Sequence, residues 1–372
     1  MFTSNQFIKS QDERMLSVDF FRGLTMFLLI GESTGLFRHL RSFKDSGIIH
    51  SIATQLSHHA WNGLYFWDLI QPFFMTIVGV AIPFAIMARK SKGHSDRSIL
   101  LHAIKRSFIL LLFGWGLYCI GPGKIVWKFQ NVLAQLSVTY LVAFLIVNKS
   151  VRFQVLFTLI ILFLIDLAYR FFPVDGFNQP WVVHQNLGTW FNLLIEGTEK
   201  TSVWATLNVV STTAHTVWGA LAGILLISKK SSANKIKILC GAGAICLIIG
   251  YGLDWLHITP IIKKIATSSF VFASGGWTLF AIAFSYWLID VKKTFIEGSL
   301  FFRIIGMNCI AIYLFFSIGG ADLLTKVFTP FTTSLLTWAG TFTVNVSTSL
   351  LVWAAMWGMC YWLYKNRIYI KI

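Results

Sequence analysis

The sequence predicts an all-α membrane protein, a bundle of about ten transmembrane helices with both termini in the cytoplasm. Of its 372 residues, 56% are hydrophobic and only 12% charged, with a mean hydropathy of +0.68. That balance is too apolar for a soluble domain of this size. Apolar runs of about 20 residues, enough to cross about 30 Å of hydrocarbon at about 1.5 Å per residue, recur along the whole chain. The runs lack the short alternation of a barrel strand, and bare backbone cannot sit in lipid, so each run must satisfy its own hydrogen bonds as a helix.

The expected spans are 16–36, 67–88, 101–120, 130–147, 153–172, 203–227, 236–253, 267–289, 300–319 and 341–363. The first contains Arg22 and ends near Glu32; the second follows a polar stretch holding His58, His59 and Asp68; the fifth carries Asp166 deep in its run. Asp166 reads as a paired structural charge or as part of an ion path. The sixth contains His215 and the spacing Gly219-Ala-Leu-Ala-Gly223, and the seventh contains Gly241-Ala-Gly243; such small-residue spacings let helices approach closely. The segment 320–340, with Pro330 and several threonines, is read as a re-entrant or surface helix. Residues 1–14 are polar and lack a signal-peptide apolar region, so the first helix is expected to stay attached. With no polar, Pro-rich or Ser-rich linker between halves, residues 1–372 are taken as a single domain.

Orientation follows from the basic residues. Assigning both termini and the even-numbered gaps to one side places 20 of the 31 Lys and Arg residues there, against 10 on the other, and the side richer in basic residues faces the cytoplasm. The net charge of +16 is spread over short loops that hold the topology and touch anionic lipid, which argues against a nucleic-acid surface. All five cysteines lie inside apolar runs and read as small core residues, without disulfide framework or metal spacing. The short polar N-terminus is the cue for a bacterial source, and the expected location is then its inner (cytoplasmic) membrane.

The longest outside loops, about 37–66 and 173–202, are rich in Trp, His, Asn and Gly, and loops of this length usually serve function. Glu32, His58, His59, Asp68, His184, His215 and Asp254 are expected on the same outer half. A histidine titrates near neutral pH and can take a proton from a nucleophile and return it, while a carboxylate beside it fixes its tautomer. His58 is the candidate general base and Asp68 its orienter. Asp68 also suits a plain helix-capping role, and Trp61, Trp67, Trp181 and Trp190 suit an interfacial aromatic belt. No metal is expected: His58 and His59 are adjacent, and no H-x-x-x-H or C-x-x-C spacing occurs with them. The basic stretch from Arg89 to Arg97, with Lys105 and Arg106, could hold phosphates if a second basic loop converged on it, but ordinary topology signalling is the preferred account.

Several stretches resemble one family. The opening Ser17-Val-Asp19-Phe-Phe-Arg22-Gly23 resembles the S-V-D-x-x-R-G start of the heparan-α-glucosaminide N-acetyltransferase family and its bacterial relatives. His58-His-Ala-Trp61-Asn62-Gly63, continuing to Asp68-Leu-Ile-Gln-Pro72-Phe-Phe, resembles the family's H-x-x-W-N-G-x-x-x-x-D-L-x-x-P-F-F signature. Val132-Leu-Ala-Gln135-Leu, Gly219 to Gly223 and Gly306-Met307-Asn308 to Tyr313 follow in the right order.

The resemblance implies a transmembrane acyltransferase that takes acetyl from cytoplasmic acetyl-CoA and delivers it to an amino sugar or glycan fragment across the membrane. The family's active histidine matches His58. Trp61, Asn62, Glu32, His59, His215 and Asn308 are assigned to the acceptor, and Arg22, Gln135 and Arg106 to the acyl donor. His58 either deprotonates the acceptor amine or carries the acetyl group itself; general-base transfer in a ternary complex is preferred. The chain departs from the family pattern at Gln135, where a basic residue is usual, and at Glu32 and Ser33, near which an Asn is usual. The competing reading is an amino-sugar permease, since buried polar groups between helices suit either function. The lipid bilayer is the surrounding partner, no nucleic-acid partner is expected, and a homodimer is carried as an expectation.

Overall fold

The computed structural model describes residues 15–42, 47–196 and 203–370. Lys9, Arg14, Lys44, Lys200 and Lys371, used above for orientation, and the polar segment 1–14 lie outside the described residues. Among the described residues every regular element is helical. The helices are α1 (Leu16–Ser33), α2 (Leu36–Arg41), α3 (Ile48–Gln55), α4 (Ile70–Ser91), α5 (Asp96–Ile120), α6 (Val132–Ile146), α7 (Val151–Arg170) and α8 (Leu187–Glu196). They continue as α9 (Asn208–Ile227), α10 (Ser232–Trp255), α11 (Ser268–Ser285), α12 (Ile296–Met307), α13 (Cys309–Ser317), α14 (Gly320–Leu336) and α15 (Thr341–Lys365). A 3₁₀ turn, Phe66–Leu69, leads into α4.

Among the described residues, seven stretches are long and apolar enough to cross a membrane: Phe66–Ser91, Asp96–Ile120, Val151–Arg170, Asn208–Ile227, Ser232–Trp255, Ser268–Val291 and Thr341–Lys365. They coincide with seven of the ten expected runs. The other three are helical but differ in physical ways. The first carries Asp19, Arg22 and Glu32 within 18 residues, a charge load costly in hydrocarbon. The fourth is only 15 residues long, short of the roughly 20 that a bilayer needs. The ninth is broken into α12 and α13 by a bend of 60° at Asn308, and counting this pair as one span gives eight. The expected segment 320–340 forms α14, with Pro330 inside it.

The chain divides into two compact units. The first comprises Ala60–Leu64 and Gln71–Trp287, and in it α4, α9 and α11 form the interior. Their most apolar windows are 67% buried, against 17–22% for α5, α7 and α10, which turn apolar surface outward. Side-chain caps start five of these helices: Ser95, Asn131, Ser150, Ser231 and Thr267 each accept a hydrogen bond from a backbone amide of the first turn. The glycine spacing on α9 has the packing role expected of it. A Cβ at Gly219 or Gly223 would overlap the Thr76 or Val80 carbonyl of α4, and a Cβ at Gly79 would overlap that of Thr216.

The second unit comprises Met15–His59, Tyr65–Ile70 and the described part of Leu288–Ile372. Helix α1 packs against α12, α13 and α15, and α14 against α15. The α1–α12 crossing is closed by Gly23, where a Cβ would overlap the Phe302 carbonyl, and by Gly306 against the Asp19 carbonyl. Aromatic rings fill the layer beside it: Phe27 stacks on Trp353 at 4.3 Å and meets Phe301 and Phe302 edge-on.

Candidate active site

The short stretch between α3 and α4 builds a His–Asp pair in the second unit. Helix α3 ends at Gln55, and Ser57 turns the chain by donating its hydroxyl to the Thr54 carbonyl at 2.7 Å. The chain returns through the 3₁₀ turn, which places Asp68 beneath it. Asp68 Oδ1 lies 2.9 Å from His58 Nδ1. Its Oδ2 accepts the backbone amides of His59 (3.1 Å) and Tyr65 (3.0 Å). The carboxylate is 1% exposed whereas the His58 side chain is 37% exposed. A buried anion with both oxygens engaged is fixed in place, and the imidazole it holds reaches solvent.

With the proton on Nδ1 directed at Asp68, Nε2 carries the lone pair, the tautomer that a general base requires. Asp68 therefore both caps the turn into α4, through the Tyr65 amide, and orients His58; the two sequence readings of it are joined in one side chain. Beside the pair, Trp67 is buried and donates Nε1–H to Glu32 Oε1 at 3.1 Å. Its ring meets Phe37 edge-on at 5.0 Å. Glu32 thus faces the 3₁₀ turn from the end of α1. His59 packs edge-on against Tyr65 at 4.7 Å, with its Nδ1 buried and unbonded.

The remaining candidates of this unit lie elsewhere in it. Arg22 bonds Asp19 at 2.6 Å on α1. Asn308 is fully buried at the α12–α13 bend, where its amide donates to the Ile368 carbonyl (3.0 Å) and accepts the Ile370 amide (2.9 Å). Those bonds commit Asn308 to holding the C-terminal segment.

Trp61 and Asn62 belong to the first unit, where Ala60–Leu64 runs as a strap along Ile261–Lys264. Asn62 pairs antiparallel with Ile262, Gly63 donates to the Ile261 carbonyl at 2.8 Å, and Lys264 Nζ reaches the Ala60 carbonyl at 2.6 Å. Gly63 has φ +142°, a conformation that favours glycine, and this explains a glycine at that place in the motif. Trp61 donates Nε1–H to the Trp181 carbonyl at 2.7 Å, so it fastens the long loop between α7 and α8. The same Ile261–Lys264 stretch holds α9: Asn208 donates to the Lys264 carbonyl at 2.8 Å.

Further inside this unit, Gln135 is buried, hydrogen-bonded to Gln71 and to the Gln130 carbonyl. Arg106 lies over the Tyr140 ring at 4.8 Å, with its Nε buried and unbonded. His215 is fully buried, and its Nε2 sits 2.9 Å from Ser274 Oγ and 3.2 Å from the Val271 carbonyl. His215 Nδ1, Asn208 Oδ1 and Ser211 Oγ, spaced along one face of α9, are buried without partners. Sequence reading missed Asn208 and Ser211; their i, i+3, i+7 spacing with His215 was the available signal. Asp166 is the paired charge of the two readings, bonded to Arg170 at 2.7 Å and to Thr259 at 3.1 Å. Asp254 accepts the Ile261 amide at 2.9 Å. At the edge of this unit, burial raises the Glu196 carboxyl above its ordinary pKa, opposed by Lys128 and by a 2.5 Å hydrogen bond from Gln130.

No family model matches the chain. It is 24% identical to the protein named heparan-alpha-glucosaminide N-acetyltransferase of Mus musculus over an alignment 428 positions long, covering 98% of this chain and 61% of the mouse protein. It is 30% identical to the Homo sapiens protein of the same name over 136 residues, 35% of this chain and 18% of that protein. The chain therefore spans about 61% of the length of the mouse relative. Two relatives of one name, one of them matched over nearly the whole chain, agree with the motifs at residues 17–23 and 58–74, and this chain is a distant relative of the heparan-alpha-glucosaminide N-acetyltransferases.

Proposed function

We propose that this protein is a membrane acetyltransferase moving an acetyl group from cytoplasmic acetyl-CoA to an amino sugar of the glucosamine type on the far side of the membrane. The observation that carries the reading is the His58–Asp68 pair at 2.9 Å, set in the part of the chain that resembles the family's signature. In this reading His58 Nε2 removes a proton from the acceptor amine as nitrogen attacks the thioester carbonyl. The carbon–sulfur bond then breaks, and the proton passes to the departing thiolate. Asp68 stabilises the imidazolium formed in between. General-base transfer needs only this fixed geometry, whereas an acetylated His58 would have to carry the group between two substrates.

The donor is a polyanion, and in the unit of the His58–Asp68 pair Arg22 offers a buried Nε without a partner, which suits a phosphate oxygen. Glu32 and His59, which lie in the same unit as the His58–Asp68 pair, remain the proposed acceptor contacts. The chain works here as one acyltransferase domain, multi-pass in a bacterial inner membrane, with both termini cytoplasmic. The two-to-one bias of basic residues supports that orientation, and a homodimer is compatible with it.

One observation favours a second reading, an amino-sugar permease: the uncharged, buried and unpartnered atoms of Asn208, Ser211 and His215 along α9 suit the hydroxyl groups of a sugar in passage. One experiment separates the two. Purified protein is incubated with acetyl-CoA and glucosamine or its short oligomers, and the sugars are weighed by mass spectrometry. A gain of one acetyl group that requires His58 supports the enzyme; uptake of unmodified sugar into vesicles without acetyl-CoA supports the permease.

A further inference from the structure

We propose that Arg303, with Arg22, forms an anion site at the α1–α12 crossing that takes a phosphate-bearing group. The two arginines start from backbones in direct contact: a Cβ at Gly23, the residue after Arg22, would lie 3.2 Å from the Arg303 amide nitrogen. Both side chains are half-buried, and the Nε of each is buried with no hydrogen-bond partner. Arg22 spends one terminal nitrogen on Asp19. Arg303 takes part in no ion pair among the described residues.

A guanidinium stays charged at any physiological pH, and leaving a buried donor of a charged group unsatisfied costs more than the roughly 1–3 kcal/mol of a neutral one. Two such donors rooted at one close crossing call for an anion. Lysine would act as a point charge, but the planar fork of arginine suits two oxygens of one phosphate. By sequence alone Arg303 is one more basic residue on the cytoplasmic side; the crossing sets its backbone against Gly23, the residue after Arg22.

The phosphate can come from coenzyme A, a choice that rests on the proposed acetyl transfer, or from an anionic lipid headgroup of the same leaflet. The test uses the purified full chain in neutral detergent, with R303Q, R303K and R22Q. Each is titrated calorimetrically with coenzyme A and with pantetheine, which lacks the phosphates, and retained phosphatidylglycerol is counted by native mass spectrometry. Elution volume and melting temperature verify folding. With the donor at this site, R303Q and R22Q weaken coenzyme A binding at least tenfold, R303K weakens it by less than R303Q because it keeps the charge but loses the fork, and pantetheine binding stays as in wild type. Loss of retained phosphatidylglycerol in folded R303Q, with coenzyme A binding intact, supports the anion site and assigns it to lipid. Equal coenzyme A binding and equal lipid retention in folded R303Q overturns it. If the wild type binds no coenzyme A, the proposed transfer fails, and the lipid comparison alone decides the site.

Discussion

Asp68 grips His58 with one carboxylate oxygen, at 2.9 Å from Nδ1, and the backbone around His58 with the other, through the amides of His59 and Tyr65. One buried carboxylate therefore fixes both the tautomer of the imidazole and the path of the chain that carries it. The ten-residue interval between the two is what the turn from α3 into α4 needs to fold back on itself.

His58→Ala should lower acetyl transfer by about 10²–10⁴-fold, the usual contribution of a general base, with membrane insertion retained and a melting temperature lowered by the lost partner of the buried Asp68 carboxylate. The comparison is the mass of the acetylated sugar formed by equal amounts of folded protein. Full activity in the variant would remove His58 from the chemistry.

Asp68→Asn should act on both structure and rate. The amide cannot accept from His58 Nδ1 and from the two backbone amides at once, so a buried bond is lost at about 1–3 kcal/mol. The rate should fall together with a changed pH–rate profile, because the imidazolium is no longer stabilised. A drop in melting temperature with an unchanged profile of the remaining activity would reduce Asp68 to a helix cap.

Gln135→Arg tests a departure from the family pattern. Gln135 is 3% exposed and bonded to Gln71 and the Gln130 carbonyl. A guanidinium in that space desolvates without an acidic partner among these contacts, so melting temperature should fall markedly. Calorimetric titration of the folded fraction with coenzyme A then shows whether a cation here reaches the donor.

Gly79→Ala and Gly241→Ala form a matched pair. A Cβ at Gly79 would overlap the Thr216 carbonyl, whereas one at Gly241 meets nothing within 4 Å. The first should cost about 1–3 kcal/mol or more by forcing α4 from α9; the second should be neutral or slightly stabilising through helix propensity. Thermal unfolding in detergent reads both.

Glu196 sets a small pH dependence. Burial raises its folded-state pKa, so the native state binds this proton more tightly than the unfolded chain does. The stabilisation is complete below the unfolded carboxyl pKa and is lost as pH rises through the folded one. Glu196→Gln should flatten that slope in melting temperature against pH, by a modest amount because the side chain is half-buried.

The sequence by itself determined the helical class, the places of the apolar runs and the identity of the His58–Asp68 pair. Hydropathy leaves lipid-facing backbone no alternative to helix, and a motif of fixed spacing marks the residues of a turn. Length of an apolar run did not settle which helices can span. The charges of α1, the shortness of α6 and the bend at Asn308 are local facts that only become limits once helix ends are placed.

Tertiary structure alone decided what each polar group touches. It divided the signature between two compact units, with His58 and Asp68 in one and the Trp61–Gly63 strap in the other. It committed Asn308 to the C-terminal backbone and set Arg303 against α1. Periodicity reports which face of a helix is apolar, but helix crossings are fixed by glycine contacts far apart in the chain, such as Gly23 on Phe302 and Gly79 on Thr216. Those contacts choose the neighbours of each buried side chain.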